Sequence, residues 1–559
     1  MSRKRGTCST SRSRRDRSVA TPADRRPISI CLSGGGFRAT CFGAGALLAV
    51  LRSTARDRIR SVSSVSGGSV ASALFLGTAG DDPDLRHRAR LVGGLVTGDH
   101  IGTQARLRSL KAPVVVALGS VVAANCVLRD IDRGFADIFR WSAIYFVIVG
   151  LIVVVAAVWE SAYAVQSVIE ALVRSTRTRE GGAIRHVFCA TDLGSGEHAY
   201  LTDQQMLRVQ GSSTLHDVPV ADTVAASAGF PGFRPVILGP HQVGGLRAGP
   251  RAPIGPVARA LIGTVGLMAI AEVLTITVLR MLDALSGTQG LVIWTVGVLA
   301  GSALAVGSAL LLRTQPNFVY LVDGGVCDNL GPAFAYLTRD DRYAGLGELL
   351  YGPTRPDDGP ETLLIVVDAS KSVDTNYFAR TLSPLAAMIP LRFRILMRSG
   401  VQLVASSNSS ARRRAVQKLI DIDETVDGSI LSLSELPDGP LSSGRDWTEI
   451  AAANRTVPTT LSRIESRTAS DLMMHGYELM ADYLSSLGTT VERPGPEYFD
   501  DLTGTEAQAA TTSAIGHRPR GRFGRRQDGL NRLFWIVFGA VSLAYALIIV
   551  RLIVASPPS

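Results

Sequence analysis

Short apolar runs recur along the chain, and each one ends in glycine or in a polar residue. They cover residues 28–33, 59–65, 185–190, 318–322 and 362–367. The first two are each followed by apolar residues at helical spacing. Strands that alternate with helices in this way predict an α/β domain with a mainly parallel sheet. Ligands of such sheets bind at the carboxyl ends of the strands. The residues found at these ends are Gly34, Gly35, Gly36, Ser66, Asp192, Asp323 and Asp368.

Longer apolar stretches with almost no charge form a second pattern. They cover residues 112–128, 141–159, 261–279, 290–312 and 533–550. About 20 apolar residues cross the hydrocarbon core of a bilayer. These stretches therefore predict membrane-spanning helices, with buried core helices as the alternative. The stretch 112–128 is the weakest candidate, because it is short and contains Pro113 and Asn125.

The spacing of these stretches predicts two transmembrane hairpins, at about 112–159 and 261–312, and a C-terminal transmembrane helix at 533–554. Each hairpin returns the chain to the side that it left. Arginines flank the hairpins and the last span, and the positive-inside rule places such residues in the cytoplasm. The prediction is a multi-pass protein of the cell membrane with a cytoplasmic catalytic domain. Glu272, inside a predicted span, is either functional or packed against its hairpin partner.

Composition narrows the possible functions. The 559 residues include 58 Lys+Arg and 48 Asp+Glu, for a net charge of +10. A hydrophobic content of 46% excludes an intrinsically disordered protein. Nucleic-acid binding is not expected, because aromatic residues make up only 6% and no basic face is interleaved with them. The six cysteines contain no CxxC and no zinc spacing, so we expect reduced cysteines and no metal site.

The same patterns divide the chain into segments. Residues 1–27 are rich in serine and arginine and predict a disordered basic tail. Residues 28–500 hold the α/β domain with the two inserted hairpins. Residues 501–532 predict a flexible linker before the last span.

A serine lies at the first sharp strand-to-helix turn. The sequence Ser64-Val65-Ser66-Gly67-Gly68 follows an apolar run. A nucleophile elbow has this form, G-x-S-x-G, in which small neighbours permit the tight turn and leave the hydroxyl exposed. The following helix directs its N–H groups at the reacting centre and favours negative charge there. Serine and glycine also form ordinary turns, so this motif alone leaves the role of Ser66 open.

A glycine loop, Gly34-Gly35-Gly36, follows the first strand. Bare backbone N–H groups in such a loop are suited to an oxyanion hole. The spacing Gly34-x-Gly36-x-x-Ala39 also fits a dinucleotide-binding motif, which requires an acid about 20 residues further on. The nearest acid, Asp57, lies in a basic run and not at a strand end, which favours the oxyanion hole.

The third motif, Asp323-Gly324-Gly325, follows the run 318–322. An acid at a strand end, followed by glycines, can approach another loop closely. A glycine turn with a capping aspartate is the alternative.

The three motifs in this order resemble those of the patatin-like phospholipase family. The resemblance rests on GGGFRA (34–39), SVSGG (64–68) and DGG (323–325), with softer agreement in FCATDLGSGE (188–197) and ASAGFPGFRPV (226–236). It covers about residues 28–110, 183–245 and 316–400. The chain departs from the family pattern at Ser64, which replaces the first glycine of the elbow.

The resemblance implies a patatin-like fold and a serine lipid acyl hydrolase, of phospholipase A or lysophospholipase type, that needs no cofactor. Ser66 would be the nucleophile and Asp323 the base. The glycines at 34–36 would form the oxyanion hole, and Arg38 would support their loop or meet a phosphate. A membrane lipid in the bilayer would be the substrate.

Other readings stay open at this point. A Ser66–Asp323–His475 triad is formally possible, although His475 lies in a helical stretch, and Asp328 and Asp368 are lesser candidates for the base. Other functions are a non-catalytic membrane scaffold or transporter, a nucleotide-binding membrane protein, and an acyltransferase that uses the same acyl-enzyme.

Overall fold

The structure is a computed structural model. It describes residues 26–78, 82–101, 163–175, 184–229, 236–244, 287–313, 319–331, 362–369, 426–438 and 446–516, apart from 194, 240 and 328, together with residue 103, residues 416–417 and several positions between 262 and 277.

One sheet runs through the described residues. Its strands are β1 Ile28–Leu32, β2 Ile59–Val65, β3 Arg185–Asp192, β4 Glu197–Leu201, β5 Gln205–Arg208, β6 Gly211–Thr214, β7 Val236–Leu238, β8 Val319–Asp323, β9 Thr362–Asp368 and β10 Val426–Ser432. Their order is β10-β9-β1-β2-β3-β4-β5-β6, and β8 pairs with β3 and β7.

The sheet is mixed, which corrects the prediction of a mainly parallel sheet. The pairs from β10 to β3 are parallel. Every described pair beyond β3 is antiparallel, including β3 with β8. The α/β alternation of the sequence predicts the parallel half, because helices follow both β1 and β2. Strands β3 to β6 are separated by short turns, which favour antiparallel pairing, whereas β7 and β8 join this half from further along the chain.

Two strands share one edge of β3. In β2, Val65 pairs with Cys189 of β3 in parallel register. From the next residue of β3 onward, β8 takes over that edge in the opposite direction, and Asp323 pairs with Ala190. The carboxyl ends of β2 and β8 therefore meet end to end beside β3.

Helices cover the sheet. They are α1 Gly36–Leu51, α2 Gly67–Leu74, α3 Asp82–Thr97, α4 Tyr163–Ser175, α5 Val220–Ser227, α6 Gly287–Arg313, α7 Trp447–Thr456, α8 Ser466–Ser486, α9 Pro496–Thr503 and α10 Thr505–Gly516. Short 3-10 turns lie at Arg56–Arg58 and Gly324–Val326.

Helix α1 lies at the centre of the fold, and all of its residues are buried. It packs so closely on α8 that glycine is required on both sides. A Cβ on Gly45 would clash with the carbonyl oxygen of Met473, and one on Gly476 would clash with that of Phe42. Because α1 follows the glycine loop directly, this packing fixes the position of the loop.

The linker prediction for 501–532 is wrong over its first half. Residues 496–503 and 505–516 form α9 and α10, and Ala507 and Thr511 are fully buried. Arg86 and Arg90 of α3 also bond Asp501 at 2.7 and 2.6 Å. The apolar residues of α10 are mostly alanines, so the sequence has only a weak helical repeat of hydrophobic positions. That repeat does not predict that the helix packs on the domain. Residues 517–532 lie outside the described residues.

The prediction of transmembrane helices is wrong for the part of the chain that the structure describes, where no helix is long and apolar enough to cross a membrane. The prediction of a multi-pass protein of the cell membrane depended on these helices and is wrong for the same reason. The stretches 112–159 and 533–554, and Glu272, lie outside the described residues.

The stretch 290–312 does form a helix, α6. A Cβ on its Gly301 would meet Val273 at 2.5 Å and the carbonyl oxygen of Ala269 at 3.2 Å, and one on Gly266 would lie 3.0 Å from Ser308. The described positions of 261–279 therefore lie in close contact with α6, although the predicted transmembrane hairpin is not confirmed. The transmembrane reading rested on the absence of charge, and α6 interrupts its aliphatic residues with glycine, serine and threonine.

We expect Gly476→Ala to lower the free energy of unfolding by about 1–3 kcal/mol, because overpacking at the α1–α8 contact forces the helices apart. Gly307→Ala is the matched control, since a Cβ on this helical glycine meets nothing within 4 Å. Chemical denaturation measures both variants. Equal stability of Gly476→Ala and wild type would contradict the close contact.

Candidate active site

Ser66 occupies a strained turn between β2 and α2. Its φ of 51° and ψ of −118° lie in a region that residues other than glycine rarely adopt. The neighbouring positions admit no side chain: a Cβ on Gly67 would clash with the carbonyl oxygen of Gly36, and one on Gly68 would lie 2.7 Å from that of Ser33. The turn therefore has the backbone of a nucleophile elbow.

The structure brings Ser66 and Asp323 together. The Ser66 Oγ–H donates to Asp323 Oδ2 at 2.7 Å, although the residues are 257 positions apart. The other carboxylate oxygen, Oδ1, accepts the Gly325 N–H at 2.7 Å. The backbone of Asp323 is held as well: its N–H donates to the Gly229 carbonyl at 2.9 Å, and its carbonyl accepts the Thr191 hydroxyl at 3.0 Å. The carboxylate is thus fixed toward the serine.

Burial raises the pKa of Asp323 to about 6. The carboxyl is almost completely removed from solvent, with 3% of the residue exposed, and this disfavours its ionised form. The hydrogen bonds from Ser66 and from the Gly325 N–H act in the opposite direction and lower the pKa. The result is a carboxylate that is a better base near neutral pH than an ordinary aspartate.

The glycine loop lies against the serine. A Cβ on Gly34 would lie 3.2 Å from Ser66 Cβ. Gly35 and Gly36 have φ of 149° and 60°, a conformation that favours glycine, and they form the start of α1. The Gly34 N–H is occupied, since it donates to the Asn329 carbonyl at 2.8 Å. Of the three predicted donors, Gly35 and Gly36 keep N–H groups that bond no acceptor among the described residues.

Arg38 supports the loop and does not face a ligand. It is fully buried, and its guanidinium donates to the Ala369 carbonyl at 3.0 Å, to the Val457 carbonyl at 2.7 Å and to Thr459 Oγ1 at 2.9 Å. Burial lowers its pKa to about 10, an effect that Asp368 partly offsets. Of its two predicted roles, these contacts favour support of the loop, because all three guanidinium nitrogens already donate to protein oxygens.

The glycine loop does not have the surroundings of a dinucleotide site. Gly36 packs against Gly67 of the elbow, where the pyrophosphate of a nucleotide would need open space. Asp57 lies in the 3-10 turn Arg56–Arg58, before β2 and not at its end. The geometry therefore favours the oxyanion hole over the dinucleotide reading.

His475 has structural partners. Its Nδ1 lies 3.3 Å from Asn454 Nδ2 and its Nε2 lies 2.9 Å from the Glu435 carbonyl, and it is fully buried. Its ring also contacts Phe42 and Trp447. With both nitrogens committed elsewhere, His475 does not complete a triad with Ser66 and Asp323.

Two other strand-end acids that the structure describes, Asp192 and Asp368, are not bonded to the serine. Asp192 forms a buried ion pair with Arg208 at 3.2 Å. Asp368, at the end of β9, lies near Arg38. Asp328 lies outside the described residues. Among the described carboxylates, Asp323 alone bonds the Ser66 hydroxyl.

Sequence reasoning missed a set of buried serines beneath the elbow. Ser227, at the end of α5, accepts the Ser66 N–H on both its carbonyl and its Oγ, at 3.1 and 3.2 Å. Ser69 Oγ lies 2.7 Å from Ser227 Oγ and 3.1 Å from Ser64 Oγ. The one available signal was the stretch ASAGFPGFRPV, which contains Ser227.

Neither a scan of the chain against protein-family models nor a search of curated proteins finds a match. The interpretation of this site therefore depends on its motifs and its geometry.

We expect the rate at which the Ser66 hydroxyl reacts with a fluorophosphonate to fall below pH 6. The pKa of Asp323 is raised to about 6, so the carboxyl is protonated and cannot accept the serine proton below that pH, and it is ionised above it. A pH–rate profile of the full chain measures this fall in rate at low pH, which we call the acid limb. Asp368→Asn should leave the limb in place. An acid limb with its midpoint at the ordinary pKa of aspartate would contradict the inference that burial raises the pKa of Asp323.

We expect His475→Ala to keep the specific activity of the folded protein while lowering its free energy of unfolding by about 1–3 kcal/mol, since the buried partners of both ring nitrogens lose a hydrogen bond. Steady-state kinetics and chemical denaturation separate the two effects. Loss of activity in a folded His475→Ala variant would support the triad instead.

Proposed function

We propose that this chain is a serine carboxylic-ester hydrolase that acts on lipid acyl esters through a Ser66–Asp323 dyad. The observation that carries the proposal is the 2.7 Å hydrogen bond from Ser66 Oγ to Asp323 Oδ2, made at an elbow with strained backbone. A capping aspartate in an ordinary turn has no reason to meet a serine of this conformation.

The reaction is acyl transfer in two steps. Asp323 accepts the Ser66 proton as Oγ attacks the ester carbonyl, and the N–H groups of Gly35 and Gly36 stabilise the oxyanion. The intermediate collapses to an acyl-serine, and the alcohol leaves with the proton from Asp323. Water then attacks the acyl-serine, loses a proton to Asp323 and releases the fatty acid, while Ser66 recovers its proton.

The surroundings favour an aspartate as the base. His186 and His475, the fully or nearly buried histidines among the described residues, bond Ser72 and Asn454 respectively. Asp323 is already in hydrogen-bond contact with the nucleophile, and its raised pKa places it closer to the operating pH. No further group is needed between serine and carboxylate.

The substrate class comes from the resemblance to the patatin-like phospholipases. The motifs that carry it, GGGFRA, SVSGG and DGG, are the segments that meet at the site. Lipid acyl esters are therefore the substrates to test first, with water as the acyl acceptor.

Labelling of the purified full chain with a fluorophosphonate probe tests the proposal. We expect wild type to be labelled and Ser66→Ala not to be. Asp323→Asn should label at least about 10²-fold more slowly, the usual size of a general-base contribution. Asp368→Asn, which removes another buried strand-end carboxylate, should label at the wild-type rate.

Two results would contradict the proposal: a folded wild type that is not labelled, or equal labelling of Ser66→Ala and wild type. Hydrolysis of p-nitrophenyl acetate and p-nitrophenyl laurate then separates the substrate classes. Higher kcat/KM for laurate supports a lipid acyl hydrolase, and exclusive turnover of acetate contradicts that part of the proposal.

A further inference from the structure

Ser227 joins the elbow to the sheet. Its Oγ–H donates to the Cys189 carbonyl of β3 at 2.6 Å, and the same oxygen lies 3.2 Å from the Ser66 N–H. Cys189 is the residue of β3 that pairs with Val65, directly before Ser66. A single hydroxyl therefore connects the nucleophile's backbone to the strand that aligns β2 with β8.

Two protons of this cluster are assigned by their partners. The Ser227 hydroxyl donates to the Cys189 carbonyl and the Ser64 hydroxyl to the Val187 carbonyl at 3.3 Å, because a carbonyl can only accept. Ser69 has one proton for its two contacts, to Ser64 Oγ at 3.1 Å and to Ser227 Oγ at 2.7 Å. Ser227 Oγ thus donates to the sheet and accepts from the Ser66 N–H.

All three supporting serines, Ser64, Ser69 and Ser227, are fully buried. Buried hydroxyls at this density are costly unless each is satisfied. A nucleophile held at a φ of 51° costs on the order of 1–3 kcal/mol and persists only where its surroundings enforce it. The serine cluster lies directly beneath Ser66 and bonds its backbone, so it can hold this conformation.

We propose that Ser227 is a positioning residue for the nucleophile: its hydroxyl holds the Ser66 backbone in the strained conformation from which Oγ reaches Asp323. This inference rests on the proposed function and extends it to a residue that does not touch the substrate. It also accounts for Ser64, which replaces the usual glycine of the elbow and whose hydroxyl joins the same cluster.

Ser227→Ala, made in the full chain, is the test. We expect kcat and the fluorophosphonate labelling rate to fall about 10-fold or more, because small misplacements of a reacting group are costly, while KM changes less than about twofold, because no substrate contact is lost. The acid limb of the pH profile should also move upward, since the Ser66 hydrogen bond lowers the pKa of Asp323.

Ser72→Ala is the matched control. Ser72 lies on α2, the helix that follows Ser66, and is fully buried like Ser227. Its replacement removes a hydrogen bond of 2.7 Å to His186 Nδ1. We expect it to lower the melting temperature comparably and to leave kcat and the acid limb unchanged. If Ser227→Ala does not fold, Ser69→Ala removes the hydroxyl that contacts Ser227 Oγ at 2.7 Å and should slow acylation in the same sense.

Crystal structures of the Ser227→Ala and Ser72→Ala chains separate this inference from the proposed function. A lost Ser66–Asp323 hydrogen bond in Ser227→Ala, retained in Ser72→Ala, supports the positioning role even if the wild type hydrolyses no ester. An unchanged Ser66 conformation in Ser227→Ala overturns the role, as does labelling at the wild-type rate, because the Ser227 carbonyl would then suffice alone.

Discussion

The end-to-end meeting of β2 and β8 along one edge of β3 is the constraint on which the site depends. One strand delivers Ser66 and the other Asp323, and the register of β3 places them in contact. Neither residue needs a flexible loop to reach the other. The hydrogen bond between them is therefore a property of the sheet and is as rigid as the sheet itself.

The site has two unfavourable features that the rest of the fold must offset. Ser66 has a strained backbone, and Asp323 is a carboxylate with almost no access to water. Each lowers the stability of the native state. The fully buried helix α1 and its close contact with α8 supply packing around them. Backbone strain and desolvation therefore fall on the two residues of the proposed dyad, and closely packed helices surround them.

The features that the sequence predicts are those contained in short motifs, whereas strand pairing and tertiary hydrogen bonds were not predictable from it. Ser66, Asp323 and the glycine loop each lie in a short motif, so residue type and spacing were enough to find them. The antiparallel direction of β8 was not predictable, because an apolar run carries no information about its partner. The prediction of a membrane span at 290–312 is wrong for a different reason: absence of charge is common to membrane spans and to other apolar helices, so it does not identify the surroundings of a helix. Ser227 was missed because its hydrogen bonds come from tertiary contacts.

Phe37 and Arg38 connect the end of the glycine loop to residues 457–460. The Phe37 N–H donates to the Thr460 carbonyl at 2.7 Å, and Arg38 donates to Val457 and Thr459. A chain emerging from the ribosome carries its serine early and the partners of this loop more than 400 residues later. The glycine loop therefore reaches this conformation only after residues 457–460 have been synthesised and have packed against it.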